Sequence, residues 1–352
     1  MNICTQCVLP DTFPGIRFND DGVCNHCQGY EKKKADLAGD KKRYQQKFIE
    51  LIRQMKQQDQ RPYDVIIAYS GGKDSSYTLM LLKKEYGLRV LAMTFDHGFM
   101  SPQAFTNIRQ MTTALGVDHI VLAPAGMVLI NAFRKSMETD IYPMKALERA
   151  SAICNTCINL VKSSVLKTAI EMGIPFIAYG WSPGQAPIAS SVMKLNVPMI
   201  RQMQEAMWRT TGMLIGDEIR PYMLNQRHYR DLLSTHPDEA ENVSLYAVHP
   251  LAFHEYHEKS IAEEIRKLGW LSPNDTDSNS TNCLLNSLAN KIHIKRYRFH
   301  PYAFEIAGLV REGCMTREEG LAKLLTPPDP DVMDIVQKKL DAPSAPSEID
   351  VR

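Results

Sequence analysis

Two groups of residues have the types and spacing for chemistry. The first is Ser70-Gly71-Gly72-Lys73-Asp74-Ser75-Ser76. It follows the apolar run Val65-Ile66-Ile67-Ala68-Tyr69 and precedes a leucine-faced helical pattern over 77–85. Two glycines let the backbone approach a ligand, because no Cβ intervenes. A helix starting there offers unpaired N–H groups and a partial positive charge. Ser70, Ser75 and Ser76 add hydroxyls, and Lys73 adds a cation. Such a loop holds phosphate. It is not the Walker loop, whose G-x-x-x-x-G-K-[ST] spacing is absent. Asp74 is placed to hold Mg²⁺ on a leaving phosphate group, and Lys73 to neutralise developing charge there. The second group is the eight cysteines, at 4, 7, 24, 27, 154, 157, 283 and 314. Cys4-x2-Cys7 and Cys24-x2-Cys27 have the spacing of a closed tetrahedral zinc site. Four protein ligands leave no open position, so this site is structural. Iron fits the same spacing. His26, beside Cys27, is read as a flanking polar residue.

The elements that must position these residues follow a regular order. Strands are predicted at 65–69, 89–95, 119–122 and 176–180. Helices are predicted at 76–86, 102–115, 128–138 and 155–172, with Gly116 and Gly173 as stops. Alternation with short apolar strands predicts an α/β fold, a doubly wound parallel sheet covered on both faces. Ligands bind such sheets at the carboxyl ends of the strands. Domain bounds are expected at 1–30 (Cys4 zinc knuckle), 31–60 (helical linker), 61–190 (nucleotide domain), 191–335 (mostly helical substrate region) and 336–352 (loose tail). Within the helical region, helices are expected at 196–211, 225–235, 257–268 and 284–310, and one more with Thr316 as N-cap.

The composition restricts the partners. A net charge of +1 supplies no global field for nucleic acid or an anionic membrane. The start, Met1-Asn2-Ile3-Cys4, has neither signal nor transit character, and no apolar run reaches membrane-spanning length. A cytoplasmic location without membrane association is expected. In that compartment, paired C-x-x-C spacing points to metal before disulfide. The basic and aromatic run 291–300 suits either an anionic partner or a solvated helix face. Met193, Met199, Met203, Met207 and Met213 read as helix packing. A homodimer stays open.

The spacing S-G-G-x-D-S at 70–75 resembles the PP-loop of the ATP pyrophosphatase superfamily. That resemblance implies an adenine nucleotide alpha-hydrolase-like fold, ATP with Mg²⁺, and cleavage between the α and β phosphates. AMP is then placed on a carbonyl or carboxyl oxygen of a small-molecule or nucleotide substrate, and a nucleophile displaces it. It also places adenosine recognition near the end of the second strand. Asp96 would take a ribose hydroxyl or help hold Mg²⁺, and Gly180 would begin the edge, through Gln185, where substrate sits. Asn107 is read as facing the nucleotide or as surface polarity. His97 is read as a turn residue before a catalyst.

The block from Cys4 to Cys27, with Gly313-Cys314-Met315-Thr316-Arg317-Glu318-Glu319, resembles bacterial N-acetyl-sugar amidotransferases. Such a resemblance implies ammonia from a partner glutaminase and a role in surface-glycan synthesis. The match breaks at Cys154-Asn155-Thr156-Cys157. This pair, with Cys283, resembles instead the iron–sulfur tRNA-thiolation branch of the superfamily. That branch implies a [4Fe-4S] cluster on Cys154, Cys157 and Cys283. Three thiolates leave one iron open for sulfide or for a substrate sulfur atom. Nitrogen chemistry has no such need, so sulfur transfer is preferred, with a sulfur donor as partner. A catalytic dithiol of Cys154 and Cys157, or inert buried thiols, are the competing readings. Cys314 is read as structural. The amidotransferase is the alternative function, and a non-catalytic ATP-binding subunit the second. A tRNA substrate is possible but not favoured by the charge.

Overall fold

A computed structural model describes residues 2–56, 61–185, 187–234 and 245–342. Its centre is a six-stranded sheet in the order β3-β2-β1-β4-β6-β5. The strands are β1 (Val65–Ala68), β2 (Val90–Phe95), β3 (Asp118–Leu122), β4 (Phe176–Tyr179), β5 (Val192–Lys194) and β6 (Tyr246–Val248). All pairings are parallel except that of β5 with β6 at the edge. The α/β architecture expected from the alternation is thus present. β1 and β4 are buried almost throughout, which is why both read as continuous apolar runs. From β1 the chain builds outward to β2 and β3, then returns across β1 to β4. The order reverses between β1 and β4, and their carboxyl ends open a crevice there. The helix Lys34–Lys56 covers one face; its Phe48 is buried edge-on against Phe176, 5.5 Å between centroids.

Several elements differ from the sequence reading. The helix after β1 begins at Lys73, with Gly72 as N-cap, and ends in a π-turn over Leu81–Glu85. Lys73 through Ser76 therefore form its first turn instead of a loop. The helix carrying the second cysteine pair runs Ala152–Glu171, and Ser151 caps it by accepting from the Cys154 N–H at 3.1 Å. β5 and β6 were not anticipated; three residues each are too few for a periodic signal. The helix expected over 284–310 is two helices, Leu285–Tyr297 and Ala303–Arg311. Arg298, at φ 68°, breaks it by entering the left-handed region. Thr316 does cap its helix, in a full capping box with Glu319.

The tail expected from 336 is also corrected. Asp329 caps a helix over Pro330–Asp341, and its Val332, Val336 and Leu340 are buried. They pack in one cluster with Leu285, Leu288 and Phe99. Apolar spacing of four residues gave that helix an inward face. Residues 57–60 of the linker and 343–352 of the tail lie outside the described residues. Among the described residues no helix is long and apolar enough to cross a membrane. If the last helix belongs to the core, Leu340→Ala costs about 2–5 kcal/mol of unfolding free energy in a denaturant titration. An unchanged midpoint would return this segment to a tail.

Candidate functional site

The phosphate loop is held at close quarters by its surroundings. Gly71 has φ +72°, and a Cβ there would lie 2.4 Å from the Ala104 carbonyl oxygen. Only glycine fits, on conformational and on steric grounds. From outside, the Trp270 indole donates to the Gly71 carbonyl at 3.0 Å. Asn107 is fully buried behind the loop and exchanges two hydrogen bonds with the Leu271 backbone, at 2.7 and 2.9 Å. It therefore braces the loop from behind; neither a nucleotide-facing role nor a surface position holds. Gly72 has no side chain to cap the helix. The Lys73 N–H donates instead to Thr281 Oγ at 2.8 Å. A Cβ on Gly180 would meet the Ser75 Cα at 2.5 Å, so the end of β4 rests directly on the first helical turn.

These contacts frame a cavity of about 260 Å³ at the reversal of strand order. Ser70, Ser75 and Gly180 line it, with Cys157, Lys162 and Asn282. Asp96 does not line it, although its neighbours Phe95 and His97 do. One oxygen of Asp96 accepts from the Gly98 N–H at 2.8 Å, closing a tight turn. His97 is buried and accepts from the Phe99 N–H at 3.2 Å. Burial lowers its pKa to about 4, which keeps the ring neutral.

Below the loop lies an ionic cluster with no counterpart in the sequence reading. Lys73 is buried and donates to Glu258 at 2.6 Å and to the Tyr256 hydroxyl at 3.2 Å. Asp74 lies 3.5 Å from the same ammonium and accepts from Tyr256 at 2.9 Å. Lys323 reaches Glu258 from the other side at 2.9 Å. Burial works against the charge on Lys73, but Asp74 and Glu258 outweigh it and raise the pKa. For Glu258, burial is likewise outweighed by Lys73 and Lys323, and its pKa falls. Glu305 faces this group without a cation of its own. It accepts from Ser182 at 2.6 Å, and burial raises its pKa to about 7, with Asp74 adding to the rise.

The two cysteine sets are built differently. Cys4, Cys7, Cys24 and Cys27 are buried, with all four sulfur atoms within 4.8 Å of one another. The Cys24 N–H points at Cys4 Sγ from 3.2 Å, and Arg311 lies 3.8 Å from Cys7 Sγ. This compact donor set fits one tetrahedral ion such as zinc. His26 lies outside it, against Phe13 and Phe304. Arg317 donates to the Cys4 and Cys7 carbonyls, locking the knuckle to the helix Arg317–Leu325. Cys314 packs with the same cluster.

Cys154, Cys157 and Cys283 meet from two distant parts of the chain. Residues 282–284 lie antiparallel to 99–101, with Met100 opposite Cys283. The Ser101 N–H donates to the Asn282 carbonyl and the Leu284 N–H to the Phe99 carbonyl, both at 2.9 Å. Burial raises all three thiol pKa values, Cys283 to about 12, and Cys154 and Cys283 each add to the rise at Cys157. No cation among the described residues offsets this, so a bound metal is what would hold them as thiolates. They are not all within 4.8 Å of each other, unlike the first four. Thiolates on separate irons of one cluster stand farther apart than ligands of a single ion, and three cysteines are the donor chemistry such a group takes.

The run 291–300 is divided: Lys291, Ile294, Lys295 and Arg298 are exposed, while its other residues are buried or half-buried. His293 and Phe299 are buried, and Arg296 pairs with Asp140 at 2.8 Å. Of the methionines, Met207 is in the core and Met193 and Met199 pack against it, whereas Met213 is 70% exposed. Sequence reasoning missed Lys162, Tyr256, Glu258, Trp270, Thr281, Asn282 and Glu305. Only Thr281 and Asn282 carried a signal, as polar neighbours of Cys283.

No family model matches the chain. An uncharacterised protein of Methanocaldococcus jannaschii is 23% identical over 347 residues, covering 98% of this chain and 95% of that one. The tRNA-specific 2-thiouridylase MnmA of Bradyrhizobium diazoefficiens is 34% identical over 134 residues, which is 34% of this chain and 33% of the enzyme. The match thus spans about a third of that relative. Among solved structures, the U34-tRNA thiolase NcsA of Methanococcus maripaludis with its [4Fe-4S] cluster has 14% identity and a TM-score of 0.33, covering 93% of this chain and 92% of that one. The loop and sheet define an α/β protein with a glycine turn at the head of its first helix. Over the matched segment the chain is similar to enzymes of the PP-loop ATP pyrophosphatase superfamily.

Glu305 gives a pH test of the cluster. Its pKa lies near 4.5 in the unfolded chain and about 7 in the folded one. Between those values the folded protein keeps a proton that the unfolded chain has lost, so this group's contribution falls as pH rises. Glu305→Gln removes that slope. It should gain stability over wild type between pH 5 and pH 8, by at most ~3 kcal/mol. Parallel stability curves for the two proteins would sink the assignment.

Proposed function

We propose that the protein is an ATP-dependent, AMP-forming sulfurtransferase. One observation carries the reading: the segment 281–284 hydrogen-bonds the first helical turn of the phosphate loop and brings Cys283 toward Cys154 and Cys157. Cys157 lines the same cavity as Ser70 and Ser75. A nucleotide held by that loop would stand within reach of Cys157.

In the first step a carbonyl-type oxygen of the acceptor attacks the α-phosphorus of ATP. The bond to the bridging oxygen breaks, and pyrophosphate leaves with that electron pair. The open N–H groups of the first helical turn and the hydroxyls of Ser70 and Ser75 hold the phosphates. Asp74 supplies a carboxylate for Mg²⁺, and Lys73 fixes that carboxylate through the ionic cluster. In the second step sulfur at the sulfide level attacks the activated carbon, and AMP departs with the original oxygen. No electrons are exchanged overall. Cys154, Cys157 and Cys283 would hold a [4Fe-4S] group, which would supply the sulfide-level sulfur. The four amino-terminal cysteines would hold zinc and serve the fold.

The rival nucleophile is ammonia from a glutaminase, which needs none of the three thiols. Protein purified under nitrogen should be brown, with broad thiolate-to-iron absorption. Cys154→Ala and Cys283→Ala should abolish the colour, while Cys314→Ala keeps it. With sulfide and a competent acceptor, ATP should yield AMP and pyrophosphate. Colourless protein that uses ammonium salts would establish the amidotransferase instead. Formation of ADP and orthophosphate would overturn both.

A further inference from the structure

A second cavity, of about 280 Å³, lies behind the Trp181 indole. No step above uses it. It shares Lys162 and Trp181 with the phosphate-loop cavity, so the two spaces meet at one wall. The ammonium of Lys162 lies 4.3 Å from the centre of the Trp181 ring. It has no carboxylate and no hydrogen-bond acceptor among the described residues. Burial lowers its pKa to about 8, which leaves it mostly charged at neutral pH. An ammonium drawn out of water without an anion is costly, and an entering anion offsets that cost.

The other walls suit the same ligand. Arg149 is exposed at the mouth, its guanidinium 4.8 Å from the Phe304 ring centre. One of its five donors goes to the Gln185 carbonyl, at 2.7 Å. Trp181 and Phe304 supply apolar faces. The indole is fixed by His249, stacked 4.5 Å away and only 9° from parallel. Glu305 also lines the cavity, and its carboxyl faces Lys73 and Asp74 below the phosphate loop. The chain's net charge of +1 supplies no global field for an RNA backbone to follow.

We propose that this cavity is the acceptor site, and that it takes a small molecule joining an anionic group to a flat or apolar ring. Lys162 and Arg149 grip the anion, and Trp181 and Phe304 hold the ring. Its role as acceptor site rests on the adenylation reading, because the acceptor must meet the α-phosphate across the shared wall.

Pyridoxal 5′-phosphate tests the site without turnover, since it joins a flat ring, a phosphate and an aldehyde. The amine of Lys162 adds to the aldehyde carbon, water leaves, and borohydride reduces the imine to a stable secondary amine. Peptide mapping by mass spectrometry then reads the label. Lys162 should label ahead of the exposed lysines. Arg149→Met should lower that label about tenfold, the scale of one charge-assisted hydrogen bond. Pyridoxal, which lacks the phosphate, should label Lys162 about tenfold less for the same reason. A non-cleavable α,β-methylene ATP should not protect Lys162. Labelling at the background of surface lysines, equal labelling by pyridoxal, or no effect of Arg149→Met would each overturn the proposal. Full protection by the ATP analogue would assign Lys162 to the nucleotide instead, and would equally overturn it. Labelling requires neither ATP cleavage nor a cluster. Its failure leaves the adenylation reading standing, and failure to form AMP leaves the label unaffected.

Discussion

The single charge of Lys73 holds the working end of this sheet together. Glu258, Asp74 and Glu305 converge below the phosphate loop, and Lys73 is the buried cation among them. Like charges so close and so poorly solvated would repel strongly without it. Lys323 assists at the edge, and the Tyr256 hydroxyl links Lys73 to Asp74. The interaction therefore ties the helix after β1 to Glu258–Arg266 and Arg317–Leu325, two elements from the last third of the chain. Arg317, on the second of these, also grips the carbonyls of Cys4 and Cys7. The amino-terminal knuckle and the phosphate loop thus share one support.

Steric closeness does the rest of the positioning. Glycine lets backbone meet backbone at Gly180 against Ser75. It does so again at Gly184, where a Cβ would lie 2.2 Å from the Glu305 carbonyl oxygen. The second contact seats the helix Ala303–Arg311 against the loop after β4 and delivers Glu305 to the crevice. Precision here comes from packing without side chains, which leaves little slack for movement.

The two cysteine sets differ in geometry. The first is compact and buried and is locked to a helix by Arg317, which suits a closed ion site. The second is assembled from two segments far apart in sequence, and one of its members borders the phosphate-loop cavity. An open, partly accessible donor set beside that cavity is what the proposed sulfur delivery would require.

Much of this was legible in the chain because it is local. Strand, glycine turn and helix are consecutive at 65–80, so the phosphate loop could be read from periodicity and residue type. The C-x-x-C pairs, the cap at Thr316 and the stop at Gly116 are likewise short-range features. β5 and β6 escaped because three residues carry no period, and Arg298 broke a helix that its neighbours' propensities favoured. Asn107 read as a nucleotide contact or a polar residue of a surface helix because nothing in sequence reveals that Leu271 satisfies its amide. The sequence by itself determined the parallel α/β core, the glycine turn at the head of its first helix and the four-cysteine knuckle. Only the tertiary structure decided that Glu258, Tyr256, Thr281 and Cys283 would stand beside Lys73 and Cys157, and that Lys162 would be buried without a carboxylate partner among the described residues. Contacts spanning more than a hundred residues are chosen by how apolar faces and charges pack together, and no local pattern records that choice.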